Sequence, residues 1–330
     1  MKFKKPVARP GNRTLTRRQM IQVLTSAGVA ASPLLPRVAA AGKVSNNNGT
    51  RMVAAIFFDS YCTIALRRAL RYAGDDGFVA SLPQLLHARV NADYDNIIWN
   101  SWFTANSEES VVTTSQRSRV VVVAHGGGIF ASPERYERSV RADLDRSNTE
   151  GLTGQYAAKI TEREARDVLR GHLPDGSEIP VFTFDEFRRG IKDLPMRYAV
   201  TLDFELTKNS ISGYESFEVL KDEPLVIARA GGVEPLAAYL DKAQKRHNTR
   251  VMGNWHPFNR IDPDQPQIRI LELTGNKGGV GSEGEDQGLG WGYGADYGIT
   301  GNGGMTDMAR YVAVAPRDVS TSLQYLDFQL

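Results

Sequence analysis

Two carboxylates stand two residues apart in Val200-Thr201-Leu202-Asp203-Phe204-Glu205. On a strand, Asp203 and Glu205 would project from one face, because side chains alternate with period two. Like charges so placed repel unless they titrate apart, meet cations or share a metal. Such a pair supplies general acid and base chemistry for hydrolysis, with a divalent metal as one way of holding both groups. His125 closes the apolar run 120–124 and opens His125-Gly126-Gly127-Gly128, a strand-end position suited to a base or a ligand. Asn254-Trp255-His256-Pro257 ends another candidate strand. It joins a second base, His256, to the Trp255 indole, which can stack on a polar ligand while the asparagine hydrogen-bonds it. Asp59 closes a third run, 54–58, and Trp291 and Tyr293 stand among glycines where they too could stack on a substrate. Each of these residues has a plainer structural use. Asp59 or Ser60 would cap the following helix. His125 would be a hydrogen-bonded core histidine before a tight turn, and Asp203 and Glu205 would line the wet face of an edge strand. Cys62, the only cysteine, is either a thiol activated at a helix N-terminus or a small buried apolar side chain.

Several of these strings resemble known motifs. Asp59-Ser60-Tyr61-Cys62-Thr63-Ile64 resembles the first motif of haloacid dehalogenase-like hydrolases, with Cys62 in place of the family's glycine. That resemblance implies Asp59 as a nucleophile. His125-Gly126-Gly127-Gly128 resembles the oxyanion loop of lipases and esterases, which implies backbone amides facing a developing negative charge. The matching nucleophile elbow is missing, because Val280 stands where Val280-Gly281-Ser282-Glu283-Gly284 would need a glycine. The strand acids resemble those of polysaccharide deacetylases and some glycosidases, which implies a carboxylate-dependent site for carbohydrate. The chain lacks the paired histidines with which those deacetylases hold metal. Lys277-Gly278-Gly279-Val280-Gly281-Ser282 resembles a deviant phosphate loop, but no lysine precedes the serine and no helical pattern follows it, so no nucleotide is expected.

The elements that must position these groups follow from apolar periodicity. Strands are expected at 52–58, 96–103, 119–125, 179–184, 198–206, 224–230, 250–256 and 267–274. Helices are expected at 61–73, 78–88, 133–144, 161–170, 185–192 and 233–247. Ser132 before Pro133 and the string Thr161-Glu162-Arg163-Glu164 mark two helix starts, and Gly74 marks a stop. Alternating strands and helices predict an α/β domain over 51–330 built on a mostly parallel sheet, with an irregular (β/α) barrel as its closed variant. In either arrangement Asp59, His125, Glu205 and His256 would gather at one rim. Residues 275–304 hold 13 of the 31 glycines, and read as a long loop region carrying aromatic side chains. The apolar runs 310–315 and 323–328 are expected to form a terminal hairpin.

Composition narrows the function classes. Hydrophobic residues make up 41% of the chain and charged residues 24%, which is ordinary for a globular protein. The formal net charge of +2 is unevenly spread: residues 1–41 carry eight positive charges and no Asp or Glu. Thr16-Arg17-Arg18-Gln19-Met20-Ile21-Gln22, the diluted apolar stretch 23–35, Arg37 and the small residues 38–41 resemble a twin-arginine signal peptide. The resemblance implies recognition by the twin-arginine export machinery, folding before export, and a periplasmic or secreted destination. Residues 42–50 read as a flexible leader. A lone cysteine allows no intrachain disulfide, consistent with folding in a reducing compartment. Without residues 1–41 the net charge is about −6, which removes the basic hint of a nucleic-acid or membrane-surface partner. The leading expectation is an exported hydrolase acting on a polar substrate such as a carbohydrate. The competing expectation is a non-catalytic binding or assembly protein that uses 275–304 as its contact surface.

Overall fold

The computed structural model describes residues 50–144, 158–208, 213–247, 251–254, 266–274, 299–300 and 308–318. In chain order the strands are β1 (Thr50–Asp59), β2 (Phe78–Val79), β3 (Phe103–Thr113), β4 (Arg119–His125), β5 (Ala158–Lys159), β6 (Val181–Thr183), β7 (Tyr198–Asp203), β8 (Gly213–Ser216), β9 (Val251–Asn254), β10 (Gln267–Leu273), β11 (Ile299–Thr300) and β12 (Ala309–Asp318). The helices are α1 (Cys62–Ala73), α2 (Leu82–Asn91), α3 (Ile97–Asn100), α4 (Pro133–Leu144), α5 (Glu162–Leu169), α6 (Phe184–Arg188), α7 (Phe204–Lys208), α8 (Phe217–Leu220), α9 (Pro224–Ala230) and α10 (Val233–His247).

The sheets correct the expected topology. A seven-stranded sheet runs β11-β10-β3-β4-β7-β6, with β5 on the outer edge of β10; a second sheet runs β1-β12-β2, and β8 pairs with β9. Only β6 and β7 pair in parallel, and every other described pairing is antiparallel. The mostly parallel sheet and the (β/α) barrel are therefore both wrong: the strand path is open among the described residues, and its neighbours run in opposite directions. Run 310–315 lies in β12, which pairs along its whole length with β1, and run 323–328 of the expected hairpin lies outside the described residues.

Both faces of the large sheet are covered. Val121, Val123, Val200 and Leu202 pack on one side with α2, α9 and α10. Val122, Ala124, Ala199 and Ile268 pack on the other with α1, α4 and α5. In α10, Leu236, Tyr239, Leu240 and Ala243 recur at helical spacing, and all are buried. Burying each of the larger side chains contributes about 1.5–3 kcal/mol. Helix α1 buries Ala65, Leu66, Ala69 and Ala73, and ends at Gly74, whose φ of 59° suits glycine.

The middle of the sheet is polar. Strand β3 contains Thr104, Asn106, Ser107, Glu108, Glu109 and Ser110, and five of these six are buried; Asn106 is half-buried. Such burial requires partners for each group. Glu109 accepts two hydrogen bonds at 2.8 Å from Arg229 of α9, with both side chains fully enclosed. Ser107 accepts the Leu82 backbone N–H at 2.9 Å. The backbone N–H of Arg310 in β12 reaches the Thr104 hydroxyl at 3.2 Å, tying the second sheet to the first.

Candidate functional site

Two of the strand-end residues singled out by the sequence, His125 and Asp203, lie far apart. His125 and Asp203 lie on neighbouring antiparallel strands, where His125 faces Tyr198 and Asp203 faces Val120. Five residues of strand separate them, or about 17 Å. Strand β7 ends at Asp203, so Glu205 stands in the first turn of α7 and does not share a strand face with it. Asp203 accepts the Glu205 backbone N–H at 3.0 Å, which is a helix-start contact, and both side chains are exposed. Asp59 ends β1, accepts the Tyr61 N–H at 3.0 Å and pairs with Arg68 at 2.9 Å. It braces the start of α1. Cys62 is buried, and burial raises its thiol above the ordinary value while the Tyr136 hydroxyl partly offsets the shift. His256, Trp255, Trp291 and Tyr293 lie outside the described residues.

His125 is enclosed in the core. Its Nδ1 lies 2.9 Å from the Ser107 hydroxyl and its Nε2 lies 2.9 Å from the Ala228 carbonyl. A carbonyl only accepts, so Nε2 carries the proton and Nδ1 accepts from Ser107. Burial lowers the pKa to about 4, against a smaller upward pull from the Ala228 carbonyl. The imidazole is neutral at physiological pH and joins β3, β4 and α9.

In the glycine run after it, the Gly126 and Gly127 amides donate to the Asn106 carbonyl, and the turn that follows the run holds Glu108. The carboxylate takes the backbone N–H groups of Ile129 and Phe130 at 2.6 and 3.0 Å. A Cβ at Gly128 would overlap that carboxylate. Burial pushes Glu108 up to about 7, with the two amides and Arg135 pulling the other way. The glycine amides that the lipase resemblance would aim at a substrate are turned onto the protein's own backbone, and those of Ile129 and Phe130 onto its own side chain.

A cleft of about 1030 Å³ opens between the C-terminal end of α1, Gly126 and residues 175–197. Arg197 on its wall pairs with Asp175 at 2.8 Å. Asp59, His125, Asp203 and Glu205 do not line it. Among the described residues, no three His, Cys, Asp or Glu side chains are grouped to hold a metal.

A different set of residues converges where the glycine-rich region leaves the sheet. Leu273, at the end of β10, pairs with Phe103 of β3 on one side and with Ile299 of β11 on the other. Segment 275–298 therefore departs from and returns to one point. Arg89 of α2 secures that point from beneath: its buried guanidinium donates to the carbonyls of Ile98, Ser101 and Thr274 at 2.6–2.9 Å and to the Tyr239 hydroxyl at 3.0 Å. Next to Phe103 stands Trp102. The Arg310 guanidinium carbon lies 4.9 Å from the Trp102 ring centre and 5.3 Å from that of Phe58. The two rings meet edge to face, with centres 6.4 Å apart. Phe58 is 47% exposed and Met308, just before β12, is 50% exposed. The sequence reading missed this cluster. Its signal lay in the doublets Phe57-Phe58 and Trp102-Phe103, since period two turns one aromatic of each pair outward.

No family model matches the sequence, and no curated protein does. A solved structure described as the accommodation of massive sequence variation in Nanoarchaeota by the C-type lectin fold is similar, with a TM-score of 0.55 and 21% identity over 82% of this chain and 100% of that one. Likeness at that level establishes the fold: mixed α/β, with antiparallel sheets, of the C-type lectin type. Among the described residues no helix is long and apolar enough to cross a membrane.

Proposed function

We propose that this protein is a binding protein whose recognition surface is segment 275–304 together with the Phe58–Trp102–Arg310 cluster at its root, and that its ligand is a carbohydrate. The observation that supports the reading is that Leu273 pairs with both Phe103 and Ile299, so the described residues flanking the segment lie close to the Phe58–Trp102–Arg310 cluster. Aromatic faces suit the apolar side of a sugar ring. The lectin-type fold supports the reading, as does a similar structure in which that fold is described as accommodating sequence variation. The separation of His125 from Asp203 supports binding over hydrolysis. Trp291 and Tyr293 are the stacking residues on the segment, and Trp255 is a further one. The twin-arginine-like string at Thr16–Gln22 supports a site of action outside the cytoplasm, reached by export in the folded state. Screening the full chain against an oligosaccharide panel tests the proposal. Trp291→Ala and Tyr293→Ala should each weaken the best ligand tenfold or more, with unfolding unchanged; affinity indifferent to both substitutions would refute it.

A further inference from the structure

The aromatic cluster presents a cation that the described residues leave without a hydrogen-bond or ion-pair partner. Phe58 and Arg310 are cross-strand partners in the β1–β12 ladder, and the Arg310 main chain is held to Thr104. The side chain lies over two aromatic faces, a position that fixes the plane of a guanidinium. Among the described residues it donates no hydrogen bond and forms no ion pair. The adjacent acid, Asp59, is turned to Arg68 and the Tyr61 amide. Among the described residues no carboxylate offsets the burial that lowers the pKa of Arg310. An arginine placed this way is charged at neutral pH and partly desolvated, with its fork of N–H donors available.

We propose that Phe58, Trp102 and Arg310 form an anion subsite that accepts a carboxylate-bearing sugar, a uronic acid residue of an acidic saccharide. The carboxylate takes two parallel N–H donors of Arg310, and the ring of the same residue rests on Trp102 or Phe58. This deepens the carbohydrate-binding reading and rests on it. A bidentate carboxylate is favoured over a lone small anion because the flanking surface is aromatic and offers contact area that a small anion would not use.

The experiment is a calorimetric titration of the full chain with oligogalacturonate and alginate oligomers, each beside its methyl ester, which keeps the ring and removes the charge. At least one acid should bind tenfold or more tightly than its ester, with the preference shrinking as salt rises. Arg310→Gln should abolish the preference, bringing acid and ester to equal affinity. Arg310→Lys should retain part of it, and serves as the control for folding. Trp102→Ala should weaken acid and ester alike. Equal affinity for acid and ester, or a preference that survives Arg310→Gln, overturns the subsite while leaving carbohydrate binding standing. If no saccharide of any charge binds, both readings fall.

Discussion

His125 and Glu108 are two buried ionisable groups, each held by hydrogen bonds to the backbone of another element. Their pKa displacements have opposite consequences for stability. His125 is lowered from 6.5 to about 4, so its contribution is fully present above pH 6.5 and is lost as pH falls toward 4. Glu108 is raised from 4.5 to about 7, so its contribution is fully present below pH 4.5 and is lost as pH rises through 7. Between about pH 4.5 and 6.5 the two slopes oppose each other. Substituting one residue should unmask the other. In urea unfolding at several pH values, His125→Gln should gain stability relative to wild type as pH falls from 6.5 to 5, and Glu108→Gln should lose it. The expected change is up to about 2 kcal/mol over that span, given about 1.4 kcal/mol per pH unit for one proton. Parallel pH profiles for all three proteins would show that these groups are not buried as described.

At the scale of elements, the staple formed by Arg89 carries the most consequence. It joins α2, α3 and the end of β10 through carbonyls that have been taken out of water. Arg89→Met keeps much of the apolar stem and deletes the donors, so the carbonyls lose charged partners. The cost should be on the order of 3–5 kcal/mol in unfolding free energy, with ligand affinity falling as well. A loss below about 1 kcal/mol would mean that water replaces the guanidinium freely. Element by element, the sequence was informative where periodicity was strong. Run 119–125 is β4, and 133–144 and 233–247 are α4 and α10. It misled at 224–230, a short apolar run that periodicity alone cannot assign: Pro224 at the first turn and Gly231 at φ 87° make it the buried helix α9. It was silent on most of β3. Thr104 to Ser110 is polar in composition, and the partners that let it be buried, Arg229, Ile129 and Arg310 among them, are distant in sequence. The candidate site shared that fate. Asp59 and His125 end strands as expected, whereas β7 stops at Asp203 instead of running on to 206, and antiparallel pairing sends the C-terminal ends of β4 and β7 to opposite edges.

The whole molecule pairs a doubly covered, mainly antiparallel sheet with a smaller sheet whose β12 strand brings Arg310 to the root of the glycine-rich segment. The point where the glycine-rich segment leaves the sheet is thus framed by β3, β10 and β12, three distant parts of the chain. We propose that this chain binds a saccharide without transforming it. A titration of the full chain with the saccharide selected from the panel, followed by assay of the recovered ligand for new reducing ends or lost acyl groups, decides between binding and turnover. Saturable binding, intact ligand, and an isotherm unaltered by Asp203→Asn or Glu205→Gln are expected. Turnover of the ligand that disappears in either variant would overturn the proposal.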